Sequence, residues 1–278
     1  MAKVFEDFMN EPQRQSHIVY QKTGPDDPEL EKALQNALTQ VTADDVNSIA
    51  DELSARRERV FLNLIVDPPK GAVLASLALS FADIASAVTH TKANAQTIIN
   101  YFNHGDYKLI NELLTTDIPT PLRIAKFVEK VNALDTRLAL ELATGLLYNI
   151  SPTNHWLWTR WLWDPTTGTG ILPLLAGSTH NLLADNLADS FVRVGAVTAM
   201  SVKFGEGTGL WSDELISNEK RAPFANSAFL ACAYSVYLYG TTTWRLNKEF
   251  NNLLPSLPNM ARKLLGLKKV KEKERLKE

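Results

Sequence analysis

The amino-acid sequence predicts an all-α protein, an irregular multi-helix bundle with two potential helical lobes. Apolar residues recur at helical spacing over most of the chain, and capping residues, prolines and glycines bound these stretches. β-Branched residues are scattered and do not gather into the alternating runs that are typical of strands. No fixed-period repeat is present in the sequence, which favours a bundle over a superhelical array.

Composition limits the class of protein and its compartment. The 278 residues are 45% hydrophobic, enough for a sizeable core, and the formal net charge of −2 gives no general attraction to nucleic acid or anionic membranes. Cys232 is the only cysteine, so intramolecular disulfides are excluded. The first residues carry acids where a signal peptide needs an apolar run, so we expect a cytoplasmic protein.

The chain divides into three parts by composition. Residues 1–27 are rich in turn and linker residues and are interpreted as an N-terminal arm, and residues 266–278 as a charged, basic-leaning tail. The α-helical domain is predicted over 28–265. Its first half is more charged and its second half more aromatic, which indicates potential lobes at 28–150 and 151–265.

Start and stop signals divide the first half of the domain into successive helices. Pro28 is followed by acids, as is typical of a first helical turn, and Thr42 precedes Asp44 and Asp45 as an N-cap precedes first-turn acids. Asp135 or Thr136 is a further candidate cap. The predicted helices are 28–38, 42–66, 72–102 with a break near 89–91, 106–114, 121–134 and 135–148.

The second half contains a long helix and an uncharged helix. Ser178 or Thr179 is the candidate cap of the long helix, and Gly240 is the candidate stop of the uncharged one. Because it has no charged residue, the uncharged helix is either a core helix, which we favour, or a membrane-associated one. The predicted helices are 178–204, a short piece around 211–216, 222–239 and a last amphipathic piece within 253–267.

Four of the six tryptophans lie within residues 154–165, which we call the tryptophan segment. If this segment is a helix, Trp156 and Trp163 lie on one side and Trp158 and Trp161 on roughly the opposite side. The second surface would then bind another lobe, a protein partner or a flat apolar ligand, because tryptophan is enriched at such sites. Packing within the chain is the alternative. The candidate binding residues are His155, Trp156, Trp158, Arg160, Trp161 and Trp163.

His180, Asp185 and Asp189, with Arg193 nearby, form the polar constellation that suggests chemistry best. On a helix, Asp185 and Asp189 would lie one turn apart, and His180 would approach from the N-terminal end as a base or metal ligand. A surface ion pair between Asp189 and Arg193 explains the same spacing more simply. A metal site usually needs a third ligand, and none is evident, so the sequence predicts no metal ion.

Strong catalytic motifs are missing from the sequence. No phosphate-binding loop with its lysine, His-Glu-x-x-His, paired CxxC or Gly-x-Ser-x-Gly is present. The glycine clusters at 168–170 and 205–209 lack a following lysine and are interpreted as turns that end helices. These absences favour a protein that is not an enzyme and that needs no cofactor.

Three hypotheses follow. We favour a non-enzymatic scaffold or interaction subunit whose aromatic C-terminal half binds a protein partner or another copy of itself. The alternative is a small-molecule-binding protein or enzyme with a pocket near the tryptophan segment. A weaker alternative is a peripheral membrane protein that inserts the uncharged helix. Nucleic acid would bind only through the C-terminal tail, where glutamates dilute the basic residues.

Overall fold

A computed structural model describes residues 38–65, 81, 84, 85, 92–102, 107–176, 181–243 and 255–267. These residues contain α-helices, two short 3-10 turns and no β-strand, so the all-α prediction is confirmed for the described part. The arm at 1–27 and residues 268–278 of the tail lie outside it. The helices are α1 (Ala43–Ile65), α2 (Lys92–Phe102), α3 (Tyr107–Thr115), α4 (Thr120–Lys130), α5 (Thr136–Ile150), α6 (Ile171–Ala176), α7 (Leu187–Gly207), α8 (Asp213–Ser217), α9 (Ala225–Thr243) and α10 (Leu257–Leu264).

Helix α9 lies at the centre of the fold. It packs against α1, α10, α7 and α6, and the 3-10 turn Ala222–Phe224 leads into it. Phe229, Leu230 and Cys232 are among its fully buried residues. Because α9 has no charged residue, it can be covered from several sides without burying a charge. The helix continues through Gly240, so the predicted stop at this residue is wrong.

Within the described residues, no helix has both the length and the apolar character needed to cross a membrane.

Local capping explains where α1 and α5 begin. The Thr42 hydroxyl accepts a hydrogen bond from the Asp45 N–H (3.2 Å), and the Asp45 carboxylate accepts from the Thr42 N–H (3.1 Å), which forms a reciprocal cap. The Asp135 carboxylate accepts from the Arg137 N–H (3.0 Å) at the start of α5. Both caps were predicted from the sequence, and both helices lie close to their predicted ranges.

Helix α7 begins later than predicted. Its N-cap is Asn186, whose side-chain oxygen accepts a hydrogen bond from the Asp189 N–H (2.9 Å). The predicted start at Ser178 or Thr179 is therefore wrong, because residues 181–186 are not helical. The end of α7 at Gly207 agrees with the predicted glycine stop, and Gly209 follows it with a φ of 71°.

Helices from both halves of the chain contact one another. Helix α1 packs on α5, α9 and α10, and α4 packs on α5 and α7. The N-terminal end of α5, the tryptophan segment and the start of α7 thereby come together. The division into lobes at 28–150 and 151–265 stays a prediction.

Candidate functional site

The tryptophan segment is not a helix. Its last part is closed by a tight turn in which the Asp164 N–H donates to the Thr169 carbonyl (2.8 Å) and the Gly168 N–H donates to the Asp164 carbonyl (2.8 Å). Gly170 has a φ of 133°, and a Cβ there would lie 2.4 Å from the Leu162 carbonyl oxygen. The glycines at 168–170 therefore permit a turn that precedes α6, and their interpretation as a helix stop is wrong.

The helical arrangement with tryptophans on two opposite faces does not occur. Trp158, Trp161 and Trp163 are only 4–5% exposed. Trp158 stacks on Trp163, with ring centres 5.2 Å apart, and its Nε1–H donates to the Trp163 carbonyl (3.1 Å). Its backbone N–H donates to the Thr144 hydroxyl on α5 (3.1 Å). An irregular backbone can turn these rings into the same core, whereas a helix would separate them.

Trp156 packs in the same region from a half-buried position. Its ring lies parallel to Phe191 of α7, with centres 4.4 Å apart. Phe191 also stacks with Trp158 at 6.4 Å. The aromatic rings therefore connect the tryptophan segment to α7.

A pocket of about 270 Å³ lies beside Trp158 and Trp163. It is enclosed by the start of α5, the tryptophan segment and the residues around the start of α7. Its apolar lining includes Leu140, Trp158, Trp163, Leu183, Ala184 and Leu187. Its polar lining includes Arg137, Glu141, Thr159, Arg160, Asp164 and Asp185. A concave, mainly apolar site with a few charged groups is typical of small-molecule pockets.

Asp164 is the buried polar centre of this pocket. Its side chain is only 2% exposed, and it accepts hydrogen bonds from the Arg160 Nε–H (3.1 Å) and the Thr166 N–H (3.0 Å). Arg137 approaches the same carboxylate, with Nη1 at 4.0 Å. Burial opposes ionisation, but the Thr166 N–H and the Arg160 guanidinium outweigh it and hold the pKa of Asp164 below its usual range. Asp164 is therefore ionised at neutral pH.

Of the other candidates of the tryptophan segment, Trp156 and Trp161 do not line this pocket, and neither does His155. His155 is half-buried, and burial together with the nearby positive charge of Arg123 lowers its pKa to about 4. The imidazole is neutral at pH 7, so it carries no proton to donate as a charged acid.

The constellation of His180, Asp185 and Asp189 is not assembled as the sequence suggested. His180 lies outside the described residues. Asp185 is exposed and precedes the N-cap of α7, so it does not share a helical face with Asp189. The Asp189 carboxylate accepts from the Asn186 amide (2.9 Å) as part of the cap. Of the two acids, only Asp185 lines the pocket.

The predicted surface ion pair between Asp189 and Arg193 is also wrong. Arg193 donates to the carbonyls of Asn181 (3.2 Å) and Leu183, and no ion pair joins it to Asp189 in the described structure. The described residues contain no cluster of three histidine, cysteine or acidic side chains that could hold a metal ion.

Sequence reasoning identified one side of the pocket and missed the other. It named Trp158, Arg160 and Trp163, but the side formed by Arg137, Leu140 and Glu141 on α5 was not among the candidates. A local pattern gives no sign that α5 faces the tryptophan segment, because that contact depends on tertiary packing.

The described part of the chain is a helical bundle with a pocket beside Trp158 and Trp163. Searches among protein families, curated proteins and solved structures found no match to this chain.

Proposed function

We propose that this protein binds a small, predominantly apolar ligand in the pocket beside Trp158 and Trp163. The observation that carries the proposal is the pocket itself, whose walls are the indoles of these residues and the aliphatic chains of Leu140, Leu183 and Leu187. Transfer of an apolar ligand from water to such walls is favourable by roughly 25 cal/mol per Å² of buried apolar surface. Aromatic walls favour a flat ligand that can lie against them.

The state of Asp164 favours binding over acid–base catalysis. A general acid or base works best when its pKa lies near the operating pH. The pKa of Asp164 is instead held low, and its carboxylate is engaged by Arg160 and the Thr166 N–H. Asp164 therefore orients its neighbours, and the pocket has the character of a binding site.

That the protein is an interaction subunit stays a prediction, but the buried tryptophans no longer support it. It depended on tryptophans on more than one face, but Trp158, Trp161 and Trp163 are buried within the chain. The exposed large apolar residues of the described part lie on different elements. They are Leu122, Leu174, Leu183, Ile216 and Tyr237. The buried tryptophans support the pocket more directly than they support a docking surface.

Binding of naphthalene-2-methanol, a flat neutral probe, tests the proposal by isothermal titration calorimetry. Leu183 lines the pocket and is 54% exposed, so Leu183→Ala should leave the fold intact. Loss of its contact should weaken binding about five-fold, because removal of a partly buried aliphatic group costs about 1 kcal/mol. Leu122→Ala is the matched control, since Leu122 is 45% exposed and lies outside the pocket. This variant should bind the probe with the affinity of the wild type.

Filling the pocket gives a second test. Ala184 is half-buried in the pocket wall, and Ala184→Phe should occupy the space of the ligand and abolish probe binding. Native mass spectrometry of the purified wild type should also detect a co-purified small molecule that this variant lacks. Failure of the wild type to bind the probe, or equal binding by Ala184→Phe, would refute the proposal.

A further inference from the structure

Two arginine side chains of the pocket lie beside one buried oxygen atom. Arg160 Nε lies 3.1 Å and Arg137 Nη1 lies 4.0 Å from Oδ2 of Asp164. The Asp164 side chain is 2% exposed, whereas those of Arg160 and Arg137 are 64% and 46% exposed. A buried carboxylate therefore holds the Arg160 guanidinium by a hydrogen bond, with that of Arg137 at ion-pair distance, and both groups stay accessible beside a mainly apolar pocket.

Both guanidinium groups keep hydrogen-bond donors for a further acceptor. Arg160 donates to Asp164 through Nε, and Arg137 donates through Nε to Asp135 (3.3 Å). In the described part of the chain, the Nη groups of both arginines make no hydrogen bond. Each guanidinium carries five N–H donors in a planar fork, a geometry that matches the paired oxygens of a carboxylate or phosphate.

Two helices also begin at this pocket. Thr136 and Arg137 open α5, Leu187 opens α7, and all three line the pocket. The positive ends of both helix dipoles therefore lie near the two arginines. A helix start alone does not make a binding site, and the carboxylates of Asp135 and Asp189 already lie at these two starts, so the dipoles add little to the preference for negative charge.

Acidic side chains of the pocket limit its overall attraction for anions. Glu141 is buried and Asp185 is exposed, and both line the pocket with Asp164. Three acidic side chains therefore face two arginines in the lining, so long-range attraction does not favour an anion, and its selection depends on the directed N–H donors.

From these observations we infer that the ligand is an amphipathic oxyanion. Its flat or aliphatic body lies against Trp158, Trp163 and Leu140, and its carboxylate or phosphate head binds the Nη groups of Arg137 and Arg160. This inference rests on the proposed function, since it names the ligand class of the same pocket.

Three probes that share one ring system test the inference in calorimetric titrations. Naphthalene-2-carboxylate and 2-naphthyl phosphate carry the two candidate heads, and naphthalene-2-methanol is the neutral reference. One of the anions should bind the wild type at least about ten-fold more tightly than the alcohol, because charge-assisted hydrogen bonds are stronger than neutral ones. The tighter anion identifies the head group.

Arginine variants show whether that preference comes from this site. Arg160→Met and Arg137→Met should each reduce the ratio of the anion's affinity to the alcohol's affinity several-fold, because only the anion uses the guanidinium donors. Arg160→Lys keeps a cation for Asp164 but loses the planar fork, so it should reduce the preference without disturbing the fold. Arg59→Met is the control, because Arg59 is exposed on α1 and does not line the pocket.

The outcomes separate the two proposals. Equal binding of the alcohol and both anions by the wild type would overturn the oxyanion inference and leave the proposed function standing. A preference that survives in both Arg→Met variants would also overturn it, because the head group would then bind elsewhere. Failure of naphthalene-2-methanol alone to bind would overturn the proposed function, and failure of all three probes would overturn both proposals.

Discussion

At the scale of single residues, Gly195 makes room for the aromatic packing behind the pocket. A Cβ at this position of α7 would lie 2.1 Å from Cζ2 of Trp156. Trp156 itself stacks on Phe191, with ring centres 4.4 Å apart. The indole therefore lies directly on the helix backbone, where only glycine leaves the space.

Gly195→Ala should destabilise the protein by about 1–3 kcal/mol, the usual cost of overpacking a core, although alanine favours a helix by about 1 kcal/mol over glycine. Urea unfolding measures the change. In a Trp156→Phe background, the smaller ring should reduce the cost of the same substitution. Additive effects of the two substitutions would show that the predicted clash is absent.

At the scale of residues, an interaction could be predicted from the sequence only where its two groups lie close together along the chain. The caps at Thr42 and Asp135 were predicted because each binds an N–H group within the next few residues. The bond from the Trp158 N–H to the Thr144 hydroxyl and the approach of Arg137 to Asp164 join residues that are distant in sequence. No local pattern specifies such pairs, so half of the pocket was missed.

At the scale of elements, α10 is held on α1 by two buried arginines. Arg262 is 2% exposed; its Nε–H donates to Glu52 (2.7 Å), and its Nη2–H donates to Ser48 (2.9 Å). Arg56 on α1 is 5% exposed and donates to the Leu265 carbonyl just after α10. Burial lowers the pKa of Arg56 to about 10, which still leaves it charged at neutral pH. Because both side chains are buried, neither guanidinium is available to bind the phosphates of a nucleic acid.

Glu52→Gln should destabilise the protein by about 2 kcal/mol, because it leaves the charge of Arg262 buried without its carboxylate partner. Glu58→Gln on the same helix is the matched control. Glu58 is 51% exposed and pairs with the exposed Lys220 (3.0 Å), so its loss should cost less than about 0.5 kcal/mol. Urea unfolding compares the two variants. Equal costs would show that the buried pair contributes no more than a surface pair.

At the scale of elements, helix bounds were predicted well where capping or turn residues stand directly at the helix ends. Helices α3 and α5 lie within two residues of their predicted bounds, because turns and caps flank them closely. The start of α7 was predicted too early, because apolar residues such as Leu182 continue the helical spacing before the Asn186 cap. Leu182 is buried although its backbone is not helical, so its burial reflects tertiary packing and not helix formation.

At the scale of the whole molecule, the sequence predicts the centre of the fold better than its binding site. An uncharged helix has to be covered on several sides, and α9 is the buried centre of the described bundle. The tryptophan segment is also apolar and largely buried, but its backbone is irregular. Apolar content predicts that such a segment is buried, but its backbone path depends on the Gly170 turn and on partners in α5.

Global stability should fall with pH below about 6.5 because of His155. Its pKa is near 4 in the folded protein and near 6.5 in the unfolded chain, so only the unfolded chain takes up the proton between these values. This contribution to stability is complete above pH 6.5, decreases as the pH falls and is lost by about pH 4. At pH 5 the loss relative to pH 7 should be about 1–2 kcal/mol.

Urea unfolding of the wild type and His155→Gln at pH 7 and pH 5 isolates this contribution. Glutamine does not titrate, so the variant should lose less stability than the wild type between the two pH values. Carboxylates with lowered pKa, such as Asp164, titrate alike in both proteins and cancel in the comparison. The difference between the two losses is therefore the contribution of His155 alone. Parallel losses would mean that the imidazole is protonated as readily in the folded protein as in water, and that its site is open to solvent.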